Sequence, residues 1–291
     1  MFDLRYHVAS LAAVFLALII GILVGVGISG KGFVSDSERS LFNARITDLK
    51  SQLDSQTKRS TDLARSQRAA QSFVQGAYPS LMDSRLSGEK IGVVFAGPVD
   101  SRVRSLVDKT LEDAGGGSTL RSTALKLPID LPTLRRALRG RPALQQLATR
   151  QRIGELGRRL GSDFVLGGNS PAWQALSAQV VEEQSGDDTT PVDAIVVNRS
   201  TAPQSGLTAR FLAGFYGGLS APSVPAVGVE VTRPGTSAVE AFAKQNLSTV
   251  DDLDTEAGRL ALALLLSGAD GGQYGVKKTA NDGVLPPIPV G

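Results

Sequence analysis

The chain has 291 residues, 42% of them apolar, with a formal net charge of +3. That suffices for one domain of ordinary size plus an extension, and the charge is too small to mark a nucleic-acid binder. There is no cysteine and a single histidine, His7, which excludes disulfides, thiolate metal sites, cysteine nucleophiles and any Ser-His-Asp triad away from the N-terminus and leaves carboxylate chemistry as the open catalytic class; no enzyme activity or cofactor is expected.

The first element carries no charge: VASLAAVFLALIIGILVGVGIS fills positions 8–29. As a helix, Val8 to Ile28 spans about 32 Å, enough to cross a hydrocarbon core of about 30 Å. Thirteen of these residues are Leu, Ile, Val or Phe, which together contribute roughly −4 to −8 kcal/mol of insertion energy. A signal peptide is the competing reading, with Arg5 in front and Gly25, Gly27, Ser29 and Gly30 behind. Signal cores usually run about 7–15 residues and no A-x-A site follows, so residues 1–30 are expected to be a retained single-pass anchor. Gly21 and Gly25 form a G-x-x-x-G pair, readable either as a close-packing face or as ordinary membrane-helix glycine.

A Gly/Ser-rich joint, SGKGFVSDSE, leads into a heptad register. Phe42, Ile46, Leu49, Leu53, Gln56, Ser60, Leu63, Gln67, Ala70 and Val74 alternate by four and three, the spacing of a coiled-coil seam. Residues 35–77 therefore read as a helical stalk that pairs with a second copy when both are tethered in one membrane, giving a homodimer. A solitary helix packed on its own domain is the alternative. Pro79 in GAYPS is expected to end the helix.

Residues 88–275 read as an α/β domain. KIGVVFAGP is a buried strand, followed by the helix SRVRSLVDKTLEDAG with Asp100 or Ser101 as cap and Gly115 to Gly117 as stop. STLRSTALKL is a weaker strand. Two helical stretches begin near Pro132 and Leu144. DFVLGG reads as a short strand, and NSPAWQALSAQVVEE as a helix capped by Ser170 with Pro171 in its first turn. DAIVVNRS is a strand, GLTARFLAGFYGGL a helix and VPAVGVEV a strand, with further helices near Ser237–Gln245 and Thr255–Ser267. Such alternation predicts a mostly parallel sheet with helices on both faces, Rossmann-like in outline. Residues 276–291 form a Pro-rich, irregular tail.

Ligands of such sheets bind at strand-to-helix turns. FAGPVDS, around Gly97, lacks G-x-G-x-x-G, and no P-loop lysine motif occurs, so a nucleotide is not indicated. Gly167, Gly168, Asn169 and Ser170 form either an anion-accepting turn at a helix start or a plain tight turn. NRSTAPQSG, Asn198 to Gly206, is a polar loop after a core strand. Asp187, Asp188 and Asp193, and the run Asp251, Asp252, Asp254 and Glu256, read as loops and caps, with Asp254 as a helix cap. From Arg121 to Arg159 ten basic residues, Arg135, Arg136, Arg139 and Arg141 at their centre, face two acidic ones. This is either a docking patch for an acidic partner or anionic headgroups, or a solvated face.

The opening FDLRYHVASLAAVFLALIIGILVGVGIS, the stalk, and the late segment STVDDLDTEAGRLALALLLSGADGGQYGVKKTA together resemble the actinobacterial copper transport protein B family, of MctB type. The resemblance runs end to end, and the opening and GQYGVK, Gly272 to Lys277, are its most specific parts. It implies a role in copper homeostasis at the cell envelope, with the N-terminus cytoplasmic, the bulk extracytoplasmic, and a family that includes an SteB-type branch linked to cell separation through a membrane partner and a peptidoglycan hydrolase. No catalytic or metal residue carries over. Copper's soft ligands are Cys, Met and His, and this chain offers only His7, Met1 and Met82. Two readings follow: a non-channel accessory in copper homeostasis or transport without its own copper site, or a non-enzymatic envelope scaffold for a division or wall-remodelling partner.

Overall fold

A computed structural model describes residues 4–29, 36–116 and 118–288. The Gly/Ser joint over 30–35, Gly117 of the glycine stop and the last three residues of the tail lie outside them. The chain divides into two compact units, 1–70 and 71–291.

The first unit holds helix α1, Leu4–Ser29, and most of helix α2, Asp36–Met82. Every side chain described from His7 to Gly27 is exposed, as an apolar helix with no protein partner must be. Helix α2 does not stop at Pro79 but runs one turn further. Tyr78 and Met82 are buried in the second unit, and this packing outweighs the amide that Pro79 lacks.

The second unit is a seven-stranded sheet ordered β3-β2-β1-β4-β5-β6-β7. Its strands are β1 Lys90–Ala96, β2 Ser118–Leu125, β3 Val181–Gly186, β4 Ala194–Asn198, β5 Ala226–Val229, β6 Ser248–Val250 and β7 Gln273–Tyr274. All neighbours are parallel except β2 and β3. The central strands alternate between two cores. Ile91, Val93, Phe95, Ala194 and Val196 pack with α3 (Ser101–Asp113) and α10 (Glu256–Leu266). Val94, Ala96, Ile195 and Val197 pack on the opposite face with α6 (Ile153–Val165), α7 (Pro171–Val180) and α8 (Gly206–Leu219). Burial on both faces is why these strands are continuous apolar runs. The short helices α4 (Leu131–Ala137), α5 (Pro142–Gln145) and α9 (Val239–Ala243) complete the second face.

Three readings need correction. DFVLGG is not a strand; Phe164 and Val165 end α6, where Ile153, Leu156, Leu160 and Phe164 fall on one buried helical stripe. The helix after Ser170 stops at Val180, and the next residues form β3, the antiparallel edge. Asp254 does not cap α10. Thr255 does, accepting from the Gly258 amide at 2.9 Å, while Asp254 accepts from the Thr232 amide and hydroxyl and pairs with Arg102.

Helices α6 and α8 approach through glycine. A Cβ at Gly157 would lie 2.2 Å from the Phe211 carbonyl oxygen, and one at Gly214 1.9 Å from that of Gly154. No side chain larger than hydrogen fits between these backbones at their observed separation.

Candidate functional site

The carboxyl edge of the parallel strands gathers the polar chemistry of the second unit. The chain leaves β1 toward β2 on one side, and β4 lies on the other, so the order reverses between β1 and β4. In sheets of this kind a crevice opens at that place. Here it is a cavity of about 470 Å³ between the residues after β1, β4 and β5, lined among others by Asp100, Arg102, Asn198, Arg199, Glu230 and Arg233.

The start of α3 after the first turn is already capped by the chain itself. Asp100 Oδ1 caps α3, accepting from the amides of Arg102 and Val103 at 3.0 and 3.1 Å. Above Gly97 the space is filled from the β4 loop: a Cβ there would lie 2.3 Å from Thr201 Cγ2. The Thr201 and Ser200 hydroxyls donate to the carbonyls of Ala96 and Pro98. Threonine and serine from the β4 loop thus pack over the turn in FAGPVDS.

Deeper in, Asn198 is 4% exposed. Its Nδ2 donates to the Val229 carbonyl at 3.0 Å, and its Oδ1 has no partner among the described residues. Arg199 donates through Nη2 to the Ser237 carbonyl, while its buried Nε also has no partner among the described residues. Arg199 also borders a hollow of about 450 Å³ between α8 and α9, into which Leu212, Ala213 and Tyr216 face. The Tyr216 hydroxyl there is buried with no partner among the described residues, and burial pushes its pKa up.

Beside the crevice the GQYGVK segment acts as a clamp. The Val276 amide donates to Asp251 Oδ1 at 2.9 Å, the Thr279 hydroxyl to Asp251 Oδ2 at 3.2 Å, and Lys277 Nζ to Glu230 Oε1 at 2.6 Å. Gly275 sits at φ +136°, where a Cβ would lie 2.1 Å from Asp251 Oδ1. Asp251 and Glu230 are therefore spent on backbone and lysine. Asp252, wholly buried, accepts from the Thr255 hydroxyl, and burial raises its pKa. No group of three or more His, Cys, Asp or Glu among the described residues is arranged to hold a metal ion.

The sequence-predicted residues fall in three places. Phe42, Ile46, Leu49, Leu53 and Leu63 are all exposed on α2, from 49% to 70%. Arg135, Arg136, Arg139 and Arg141 are exposed on and after α4, with no carboxylate within ion-pair distance among the described residues; Arg136 donates to the Thr133 hydroxyl. The basic run is less extensive than its count implies. Arg121 is buried over the Phe164 ring, 4.8 Å from its centroid, and donates to the Thr190 carbonyl at 2.9 Å. Arg152 and Arg159 pair with Glu155 and Asp163. At Gly167 to Ser170 the amides of Gly168, Asn169 and Trp173 bond to the Asp163 carbonyl, the Gly167 carbonyl and Ser170 Oγ. The Thr189 and Asp188 carbonyls lie where a Cβ at Gly167 or Gly168 would stand. Of the crevice residues, Asn198 stood out only as the start of a polar loop. Lys277 ends the GQYGVK segment that carries the family resemblance, but nothing local ties it to Glu230, 47 residues away.

Comparison with known proteins adds a family. The family described as "Copper transport outer membrane protein, MctB" matches residues 1–285. Two relatives, each named "Copper transporter MctB", come from Mycobacterium bovis and Mycobacterium tuberculosis. Each is 28% identical over 309 aligned residues, covering 94% of this chain and 96% of the relative.

Proposed function

The chain belongs to the MctB family, and from that premise we propose that it is a non-enzymatic envelope protein serving copper homeostasis, held by α1 and acting on copper through a partner rather than through a copper site of its own. The match across residues 1–285 carries the copper assignment. The donor set supports the indirect role: there is no cysteine, His7 lies in α1, and Met82 is fully buried. The sheet is open, with β3 and β7 as edges and both faces covered, so it supplies no membrane pore. The 21-residue apolar stretch His7–Gly27 supports a single span; the orientation, with the N-terminus cytoplasmic and the second unit outside, is what the family resemblance implies.

A second reading rests on α2. Its exposed Phe42, Ile46, Leu49, Leu53 and Leu63 support a seam between two copies, and the unpaired arginines near α4 support an acidic envelope partner. On this reading the protein is a scaffold for division or wall remodelling.

A deletion strain separates the two. Copper sensitivity with normal septation supports the copper role; chained cells with normal copper tolerance support the scaffold. A competition assay for Cu(I) on the full chain tests the indirect role, and a stoichiometric complex of submicromolar affinity overturns it. Protease treatment of intact spheroplasts tests the orientation, with cleavage of the second unit expected.

A further inference from the structure

We propose that the crevice between β1 and β4 binds a small organic oxyanion, a phosphate or carboxylate, that also carries a hydroxyl or N–H donor. The inference starts from a polar atom with nothing to do. Asn198 is 96% removed from solvent by its 4% exposure, and its Nδ2 bond to the Val229 carbonyl fixes the carboxamide. Asn198 is among the residues that line the cavity, and its Oδ1 accepts nothing among the described residues. A buried acceptor left unmade costs about 1–3 kcal/mol, so such atoms are normally satisfied. A ligand hydroxyl or N–H satisfies this one.

The charge around it selects an anion. Of the carboxylates lining the cavity, Asp100 is committed to capping α3. Glu230 is saturated by Lys277 Nζ, the Ser237 hydroxyl and the Ala238 amide. The arginines are not spent in the same way. Arg199 keeps an unpartnered buried Nε. Arg233 is exposed at the rim with no carboxylate within ion-pair distance among the described residues. Arg102, though paired with Asp254, leaves 65% of its side chain exposed. Planar guanidinium donors match phosphate and carboxylate oxygens. A cavity of about 470 Å³ has the size of a small-molecule site, within the usual range of about 300–1,000 Å³. A dinucleotide is not indicated, because the turn after β1 lacks the glycine-rich fingerprint and Thr201 packs over Gly97.

The test uses the full chain in detergent micelles and isothermal titration calorimetry with three probes: D-glucose 6-phosphate, D-glucuronate and D-glucose. At least one of the two anions is expected to bind saturably at one per chain, and neutral glucose is not. Which anion binds tells phosphate from carboxylate, and either supports the site. Asn198→Leu, which removes the orphan acceptor, is expected to weaken binding about 10-fold or more. Should that buried change unfold the domain, Arg233→Ala supplies the independent arm. It lies at the exposed rim, and it is expected to weaken binding about 5-fold or more with an unchanged unfolding midpoint. The proposal is overturned if neither anion binds up to about 10 mM, if glucose binds as well as they do, or if the folded variants bind like the unaltered chain.

Discussion

Lys277 Nζ lies 2.6 Å from Glu230 Oε1 and 2.7 Å from the Val231 carbonyl, so that a residue of the C-terminal tail closes over the end of β5. The carboxylate is 5% exposed and the lysine 20%. Removing one member of such a pair strands the other's charge away from water. Two neutral donors, the Ser237 hydroxyl and Ala238 amide, would remain on Glu230 and soften the loss. Lys277→Met is therefore expected to destabilise the domain by about 2–4 kcal/mol, below the upper range for a stranded buried charge. Urea unfolding followed by the fluorescence of Trp173, the single tryptophan and 3% exposed, measures it. Adding Glu230→Gln should return part of the loss; a double variant as destabilised as the sum of the singles, or more so, argues that the pair is not coupled in this way.

The contact between α6 and α8 gives a second prediction. A Cβ at Gly161 would lie 2.2 Å from the Phe215 carbonyl oxygen, and one at Gly218 2.1 Å from that of Arg158. Both neighbours are backbone, so the helices themselves must part. Gly161→Ala is expected to cost about 1–3 kcal/mol by overpacking. Gly76→Ala in α2 has open space around the added methyl and should gain about 0.5–1 kcal/mol from helix propensity. Equal effects at the two positions would show that close approach is not what the α6 glycines serve.

How far these contacts are legible in the sequence depends on whether burial is local or assembled. β1, β4 and β5 are readable because each is covered on both faces and so runs apolar without interruption. β3, VEEQSG, pairs only with β2 at the edge and has no apolar run to announce it. β6 and β7, at three and two residues, are too short for any period to show. Phe164 and Val165 look strand-like beside each other, but only the spacing back to Ile153 reveals the helix. Arg121 counts as one more positive charge in a linear tally, yet its place in β2 turns it inward under Asp187 to Thr190. The crevice is assembled from three loops far apart in the chain, and no single turn carries a motif. Asn198 was visible as a polar residue ending an apolar strand, a signal that becomes specific only when the unpaired oxygen is seen.

Asp252 gives a pH dependence of defined sign. Burial raises its pKa, and Asp251 and Asp254 push the same way against the bond from the Thr255 hydroxyl. In the unfolded chain the carboxyl titrates near about 3.9. Between that value and the higher folded one, the folded state holds more proton than the unfolded state. Stability contributed by this group is thus full at low pH, falls as pH rises through the folded pKa, and then levels. Asp252→Asn removes the titration and keeps an oxygen for Thr255. Stability of the unaltered chain relative to the variant should fall as pH is raised from about 4. A difference that stays flat up to about pH 8, in urea midpoints taken at each pH, would mean the group does not titrate differently on folding.

The seam on α2 gives the prediction that bears most on how the protein assembles. Leu49 and Leu53 are 61% and 63% exposed in the single chain, so a second copy has apolar surface to cover there. The heptad positions Gln56, Ser60 and Gln67 interrupt that surface and would make a pairing weak in dilute solution. Tethering by α1 would raise the effective concentration of one stalk for another, so that a marginal seam would form at a membrane. Leu49→Asp with Leu53→Asp places two carboxylates per chain in the stripe a second copy would bury, where stranded charge costs several kcal/mol, more than such a seam would supply. Crosslinking between cysteines introduced at Ser60 in reconstituted vesicles should therefore appear in the unaltered background and vanish in the double variant. Trp173 fluorescence should be the same in both, since the second unit is untouched. Crosslinking that persists in the double variant would leave α2 a solitary helix and remove the basis for a dimer through the stalk.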